Sequence, residues 1–190
     1  MIRRSGVKLI EGERVVLRLI EERDLDELYR HKCKYRREDV FVPRSVYSMT
    51  RLRRRFERDG FWSARDTWVL LPDLSDRILG CLYYFRPHPI LLARELAYIV
   101  FEPEDRGNGY ATEALTLFVE LVFRTTRVNR LELNIGTENL PSVRVAEKAG
   151  FNREAVLHGV WYAPALNRYV DCYRYALLRD TYSNRDKSPK

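Results

Sequence analysis

The sequence predicts an α/β chain of the α+β kind, a mixed and mainly antiparallel sheet with helices on both faces. Three observations lead there. Strand-like and helix-like segments interleave along the 190 residues, without an internal repeat or a low-complexity linker. An early pair of strands joined by a short turn implies antiparallel pairing. A later strand, Glu95 to Phe101, is mostly apolar, as a central strand covered on both faces would be.

The elements follow in order. Arg14-Val15-Val16-Leu17-Arg18-Leu19 is β-branched and alternating, a strand. Glu21 to Lys34 is a helix, with Leu25, Leu28 and Tyr29 on one face and acids in the first turn, where the dipole favours them. Ser48 to Arg58 is a second helix with the stripe Met49, Leu52 and Phe56, and Gly60 lies just past its end. Trp68-Val69-Leu70-Leu71, a Pro72-Asp73 turn and Ile78 to Phe85 form a hairpin. Pro87-His88-Pro89 breaks the chain before the central strand. Pro103 to Gly109 is a turn, and Tyr110 to Phe123 is a long helix with Ala114, Leu115, Phe118 and Val122 inward. Leu131 to Ile135 is a strand. Asn139 caps a helix that runs to Ala149, with Pro141 in its first turn and Gly150 beyond it. Two strands near Glu154–Tyr162 and Asp171–Leu178 close a single domain over residues 1–182, and the polar residues 183–190 form a frayed tail.

Composition excludes several classes. Apolar residues make up 45% and charged residues 32%, enough to bury a core, so the chain is not wholly disordered. No run approaches the roughly 20 apolar residues that span a bilayer. The basic start, Met1 to Lys8, has no long apolar stretch after it, so no secretory signal is expected. Cys33, Cys81 and Cys172 are too few and too scattered for a disulfide framework and read as reduced thiols of a cytoplasmic protein. With His31, His88 and His158 they show no zinc-type spacing, so no metal site is expected. The net charge of +7 suits an anionic partner but does not say which.

The most informative segment is Arg106-Gly107-Asn108-Gly109-Tyr110-Ala111-Thr112, between the central strand and the long helix. Two glycines let backbone curl around a ligand, and a helix start offers unpaired N–H groups at the positive end of a dipole. This suits a phosphate or pyrophosphate. Thr112 stands where a dinucleotide-binding loop would have its third glycine, and no Gly-Lys-Ser/Thr follows for a P-loop. A tight turn without a ligand stays open on the loop alone.

Arg106-x-x-Gly109-x-Ala111 resembles the Q/R-x-x-G-x-G/A signature of the GNAT acyltransferase superfamily. Downstream, Glu138-Asn139-Leu140-Pro141-Ser142 through Glu147-Lys148-Ala149-Gly150-Phe151 is similar to the E-N-x-x-S … E-K-x-G-F segment of its RimJ/RimL branch. Glu95-Leu96-Ala97-Tyr98 and the ending Tyr173 to Asp180 also look like that branch. The resemblance covers residues 10 to 180, most strongly 95 to 155. It implies a GNAT-like acyl-CoA N-acyltransferase fold and direct transfer of acetyl from acetyl-CoA to a primary amine, without a metal.

The same resemblance assigns roles. Amides of residues 107 to 112 would hold the pyrophosphate. Backbone of Ile99, Val100 and Phe101, on a strand that splays from its neighbour, would line the pantetheine arm, with the N–H of Val100 or Phe101 as oxyanion donor. Asn139 matches a pantetheine contact, and equally a helix N-cap. Ser142 matches a serine near the CoA sulfur that can pass a proton to the thiolate, or it is an ordinary first-turn serine; Tyr98 and Tyr110 are rival acids. Glu95 is the candidate base, directly or through water, since a carboxylate opening a buried strand costs free energy unless used or paired; Arg94 offers the pairing.

The acceptor is less well defined. An α-amino group, with a pKa of about 7.7–8.0, asks less of a base than a lysine near 10.4, which favours a protein or peptide N-terminus. The alternatives are a small amine, such as an antibiotic or a biosynthetic intermediate, and a non-catalytic acyl-CoA-binding or RNA-associated module. In this fold Trp161, Tyr162 and Tyr169 of the late hairpin would wall the acceptor pocket, or equally serve ordinary hairpin packing. The basic run Arg51 to Arg58 is a solvated helix face or a rim that attracts acidic acceptors. No membrane and no direct nucleic-acid binding is expected, and the chain is a monomer or homodimer.

Overall fold

The computed structural model describes residues 6–38, 48–88, 92–163 and 166–185. Eight strands form one sheet: β1 (Lys8–Glu11), β2 (Val16–Arg18), β3 (Asp66–Pro72), β4 (Ile78–Phe85), β5 (Arg94–Val100), β6 (Arg130–Gly136), β7 (Asn152–Ala163) and β8 (Arg168–Leu178). Their spatial order is β1-β2-β3-β4-β5-β6-β8-β7. Every neighbouring pair is antiparallel except β5 and β6. The helices are α1 (Leu25–Glu38), α2 (Met49–Asp59), α3 (Tyr110–Thr125), α4 (Leu140–Lys148) and α5 (Arg179–Arg185).

Alternation along β3 sorts the core into two. Val69 and Leu71 face α3 and α4, joining Ala114, Leu115, Phe118, Val122 and Ala146. Trp68 and Leu70 face α1 and α2, joining Leu25, Leu28 and Leu52. Helices therefore cover both faces. In β4 a bulge resets the alternation: Pro72 pairs Ile78 while Leu71 pairs Gly80. Leu79 and Leu82 consequently both reach the α3/α4 face.

The sequence signals for α2 and α4 act as helix limits. Ser48 caps α2 and Gly60 ends it in the left-handed conformation at φ 57°. The Asn139 side chain accepts from the Ser142 N–H at the start of α4. Two elements have no clear sequence signal. β1 is four half-exposed residues held against β2. Helix α5 is polar, but the Arg179 guanidinium donates to the carbonyls of Phe123, Thr126 and Val128 at the end of α3, and the Tyr182 ring meets Phe123. Residues 183–185 are helical rather than frayed, because α5 has this tertiary anchor. The remaining tail, 186–190, and residues 1–5, 39–47, 89–91 and 164–165 lie outside the described residues.

Candidate active site

The site is built on a fork. Strands β5 and β6 pair in register only at Arg94 with Leu131 and Glu95 with Glu132. Beyond Glu95 they diverge, while β5 stays paired with β4 as far as Val100. The Phe101 N–H donates to the Leu79 carbonyl, 2.8 Å away. Backbone groups alternate sides along a strand, so the N–H groups of Val100 and Tyr98 turn into the fork. The other side is closely packed: a Cβ on Gly80 would stand 2.0 Å from the Ile99 carbonyl oxygen. Only glycine lets β4 come this near β5 at that point.

The loop after β5 is held from outside the site. Asp105 is buried and forks with Arg77 at 2.9 Å through both oxygens. Arg14, between β1 and β2, binds Glu113 through its backbone N–H and its Nε, and its Nη1 reaches the Asn108 carbonyl. Gly107 and Gly109 have φ of 80° and 82°, the region that favours glycine. Helix α3 has no side-chain cap, and its first ladder bond runs from the Glu113 N–H to the Gly109 carbonyl. The N–H groups of Tyr110, Ala111 and Thr112 precede that bond and point out of the helix end.

A cavity of about 500 Å³ joins fork and loop. Tyr98, Ile99 and Val100 line it from β5, residues 106, 107 and 109 to 112 from the loop and helix start, and Pro141, Ser142, Arg144, Val145 and Lys148 from α4, with Asn139 just before it. This lining fits acetyl-CoA. Amides and a helix start suit its pyrophosphate, three cationic side chains (Arg106, Arg144, Lys148) suit its phosphates, and the open edge of β5 suits its amide-bearing arm.

Proton-carrying groups lie on opposite sides of the fork. On the α3/α4 side the Tyr98 hydroxyl and Ser142 Oγ are 2.6 Å apart, and the Tyr98 O–H also reaches the Ser142 carbonyl at 3.2 Å. Burial pushes the Tyr98 phenol up to about 12, only partly offset by Ser142, so it stays protonated at neutral pH. Asn139 acts here as the cap while also lining the cavity. Glu95 lies on the α1/α2 face, at the root of the fork. Burial raises its pKa, Asn134 and Arg174 oppose the rise, and Glu132 adds to it. A carboxyl moved toward neutrality is a better base near pH 7. Arg94 does not pair with it: its guanidinium donates to the carbonyls of Ala64, Leu92 and Ala93.

Three expectations are corrected. Phe101 is outside the cavity lining: its N–H belongs to Leu79 and its ring stacks on His31 of α1 at 4.3 Å. Of the two N–H groups, only that of Val100 turns into the fork. Asn108 serves the loop itself, through its carbonyl to Arg14 and its amide to the Glu104 carbonyl. Tyr162 and Trp161 are on opposite faces. Trp161 pairs with Val170, in phase with Cys172 on the α1/α2 face, whereas Tyr162 pairs with Tyr169 and bonds Asn167. Arg144 and Lys148 escaped sequence reasoning, although Pro141, Arg144, Val145 and Lys148 recur at helical spacing on one face of α4. Asn134 and Arg174 had no local signal at all.

Among the described residues no group of His, Cys, Asp or Glu could hold a metal ion, and no helix is long and apolar enough to cross a membrane. The chain is 27% identical over 177 residues to the probable N-acetyltransferase YjcK of Bacillus subtilis, covering 80% of this chain and 92% of that one. To the uncharacterized N-acetyltransferase YnaD of the same organism it is 26% identical over 179 residues, covering 92% and 99%. Its fold is similar to that of spermidine N-acetyltransferase from Vibrio cholerae in complex with CoA and spermine, with TM-score 0.78, 20% identity and 90% and 99% coverage. A family model described as acetyltransferase (GNAT) domain matches residues 14–152. With that match over most of its length, and with the fork, the glycine loop and the cavity in one place, the chain belongs to the GNAT family of acetyl-CoA-dependent acetyltransferases.

Proposed function

We propose that this enzyme acetylates the α-amine of a peptide or protein N-terminus, as a RimJ/RimL-like member of the family. Acetyl-CoA supplies an activated thioester carbonyl. Glu95 takes the proton of the incoming ammonium, directly or through water, from the α1/α2 side of the fork. The Val100 N–H donates to the carbonyl oxygen as negative charge develops there. Ser142 donates to the departing sulfur from the other side, backed by Tyr98. A thiol with a pKa near 8.5 leaves easily, so a hydrogen bond is enough at that step.

The observation that carries the acceptor class is Trp161. Its indole Nε1–H is buried and has no hydrogen-bond partner among the described residues, on the same face as Glu95. A buried donor calls for an acceptor atom. A peptide N-terminus brings a carbonyl next to its amine, whereas a polyamine brings only donors. The carboxylates support the same class. On this face Glu132 is held by Arg130 and Arg174, whereas Glu95 forms no ion pair among the described residues. A single such carboxylate suits one ammonium better than several.

The basic helix contributes little to recruitment in this reading. Arg53, Arg55 and Arg58 bind Asp26, Asp66 and Asp59, and Arg55 also lies over Phe61 and Trp68. The chain works in the cytoplasm as a monomer or homodimer; light scattering checks the latter, since a V. cholerae relative in fold is described as dodecameric.

The test is thiol release from acetyl-CoA with tetrapeptides of varied first residue, spermidine, aminoglycosides and simple monoamines. The highest kcat/KM is expected for a peptide. A small amine exceeding every peptide by a hundredfold would replace the N-terminal acceptor with a small-molecule one and leave acetyl transfer intact.

A further inference from the structure

Glu95 is anchored by a polar chain that crosses the sheet. Asn134 and Arg174 are register partners on β6 and β8, and Arg174 Nε donates to Asn134 Oδ1 at 3.1 Å. An amide whose oxygen is taken has only its NH₂ left to offer, and Asn134 stands two residues beyond Glu132, the register partner of Glu95, on the same face of β6, so that NH₂ is placed to act on the Glu95 carboxylate and favours its ionised form. The reverse orientation would set NH₂ against guanidinium, donor against donor. Arg174 is itself held, with Nη1 3.9 Å from Glu132 Oε2. Glu132 binds Arg130 Nε at 2.6 Å, and Arg130 forks onto Glu154 of β7. Glu132 stands directly opposite Glu95 across the strands, so its charge must be neutralised for both to ionise.

We propose that Asn134 and Arg174 are positioning residues for Glu95. Arg174 fixes the Asn134 amide, and the amide aims the carboxylate into the fork. The inference rests on Glu95 as the proton acceptor. It extends that role to two residues on strands that do not touch the cavity described above. Among the described residues, the polar groups that act on Glu95 are Asn134 and Glu132 from β6 and Arg174 and Cys172 from β8. From β4 its register partner is Phe85, which carries no charge. The Cys172 thiol is pushed up to about 12, by burial first and by Glu95 second, so it remains neutral. Removing the Arg174 cation takes away an effect that favours the carboxylate and leaves burial and Glu132 unopposed by charge, so Glu95 should titrate higher.

The experiment uses the full chain labelled with ¹³C at glutamate carboxyls, with the Glu95 resonance assigned through Glu95→Gln. Arg174→Met should raise the Glu95 midpoint by on the order of one pH unit. Arg174→Lys, which keeps the charge but not the planar fork, should fall between it and wild type. Asn134→Ala reports the same coupling if Arg174→Met does not fold. In parallel, the acidic limb of kcat/KM with a free-N-terminus tetrapeptide should move with the midpoint, costing roughly tenfold at pH values below both midpoints, while the Kd for CoA holds. A Glu95 midpoint unchanged in Arg174→Met and Asn134→Ala would overturn the inference alone. A wild-type acidic limb that survives in Glu95→Gln would overturn Glu95 as base, and the positioning role with it.

Discussion

Ser142 and Tyr98 show how one residue takes its chemical meaning from another. A serine in the first turn of a helix is commonplace. Here its hydroxyl lies 2.6 Å from a buried phenol whose pKa, raised by burial to about 12, keeps it a donor across the working pH range. If Ser142 stabilises the departing sulfur, Ser142→Ala should lower kcat by on the order of 10², with little change in the Kd for acetyl-CoA. Tyr98→Phe should cost roughly tenfold, the scale of one hydrogen bond near 1.4 kcal/mol. The double variant should be no slower than Ser142→Ala, because the phenol acts through the serine. Strictly multiplicative losses in a single-turnover assay would assign the two hydroxyls separate tasks.

At the scale of elements, strand, loop and helix form one device. Gly109 is the hinge of it. At φ 82° a β-branched side chain is strained by about 1–3 kcal/mol, and its Cβ would lie 2.8 Å from Arg14 Nη1. That guanidinium also holds the Asn108 carbonyl, so the loop cannot yield without losing its tie to β1 and β2. Gly109→Val is therefore expected to weaken CoA binding by roughly tenfold or more, the equivalent of one charge-assisted amide contact. Calorimetric titration with CoA checks it, and an unchanged Kd would move the pyrophosphate away from this loop.

For the whole molecule, the pH response follows from carboxylates distributed around the fold. Burial pushes Glu113 and Asp73 up, but their hydrogen bonds outweigh it: Arg14 holds Glu113 below 4.5, and Ser75 and Arg77 hold Asp73 below 3.8. For such groups the unfolded chain binds more protons than the folded one in acid. Their contribution is complete above the unfolded values and disappears as pH falls through the lower folded ones. Glu95 has the opposite sign. Its raised pKa costs stability while it is ionised, and protonation relieves that cost. The depressed group is the larger, so Tm should fall on the order of 5 °C between pH 6 and pH 3. Glu113→Gln should flatten that fall in scanning calorimetry; an identical slope would remove the Arg14–Glu113 contact from the balance.

What the sequence determined by itself is whatever depends on neighbours a few residues apart. The 3.6-residue stripe of α3, the Asn139 and Ser48 caps, the hairpin of β3 and β4 and the glycine loop all arise from local sterics and hydrogen bonding, and each is where its pattern put it. The fold class followed from their order. Tertiary structure alone decided the phase and the partners. Period-two alternation says that Trp161 and Tyr162 face opposite ways, but only pairing with β8 says which shares a sheet face with Val170 and Cys172. The Leu79 carbonyl, not the sequence near Phe101, took the Phe101 N–H and turned that of Val100 into the fork. Glu95, Asn134 and Arg174 are some forty residues apart at each step. Long-range strand register brings them together, and no local pattern encodes such a register.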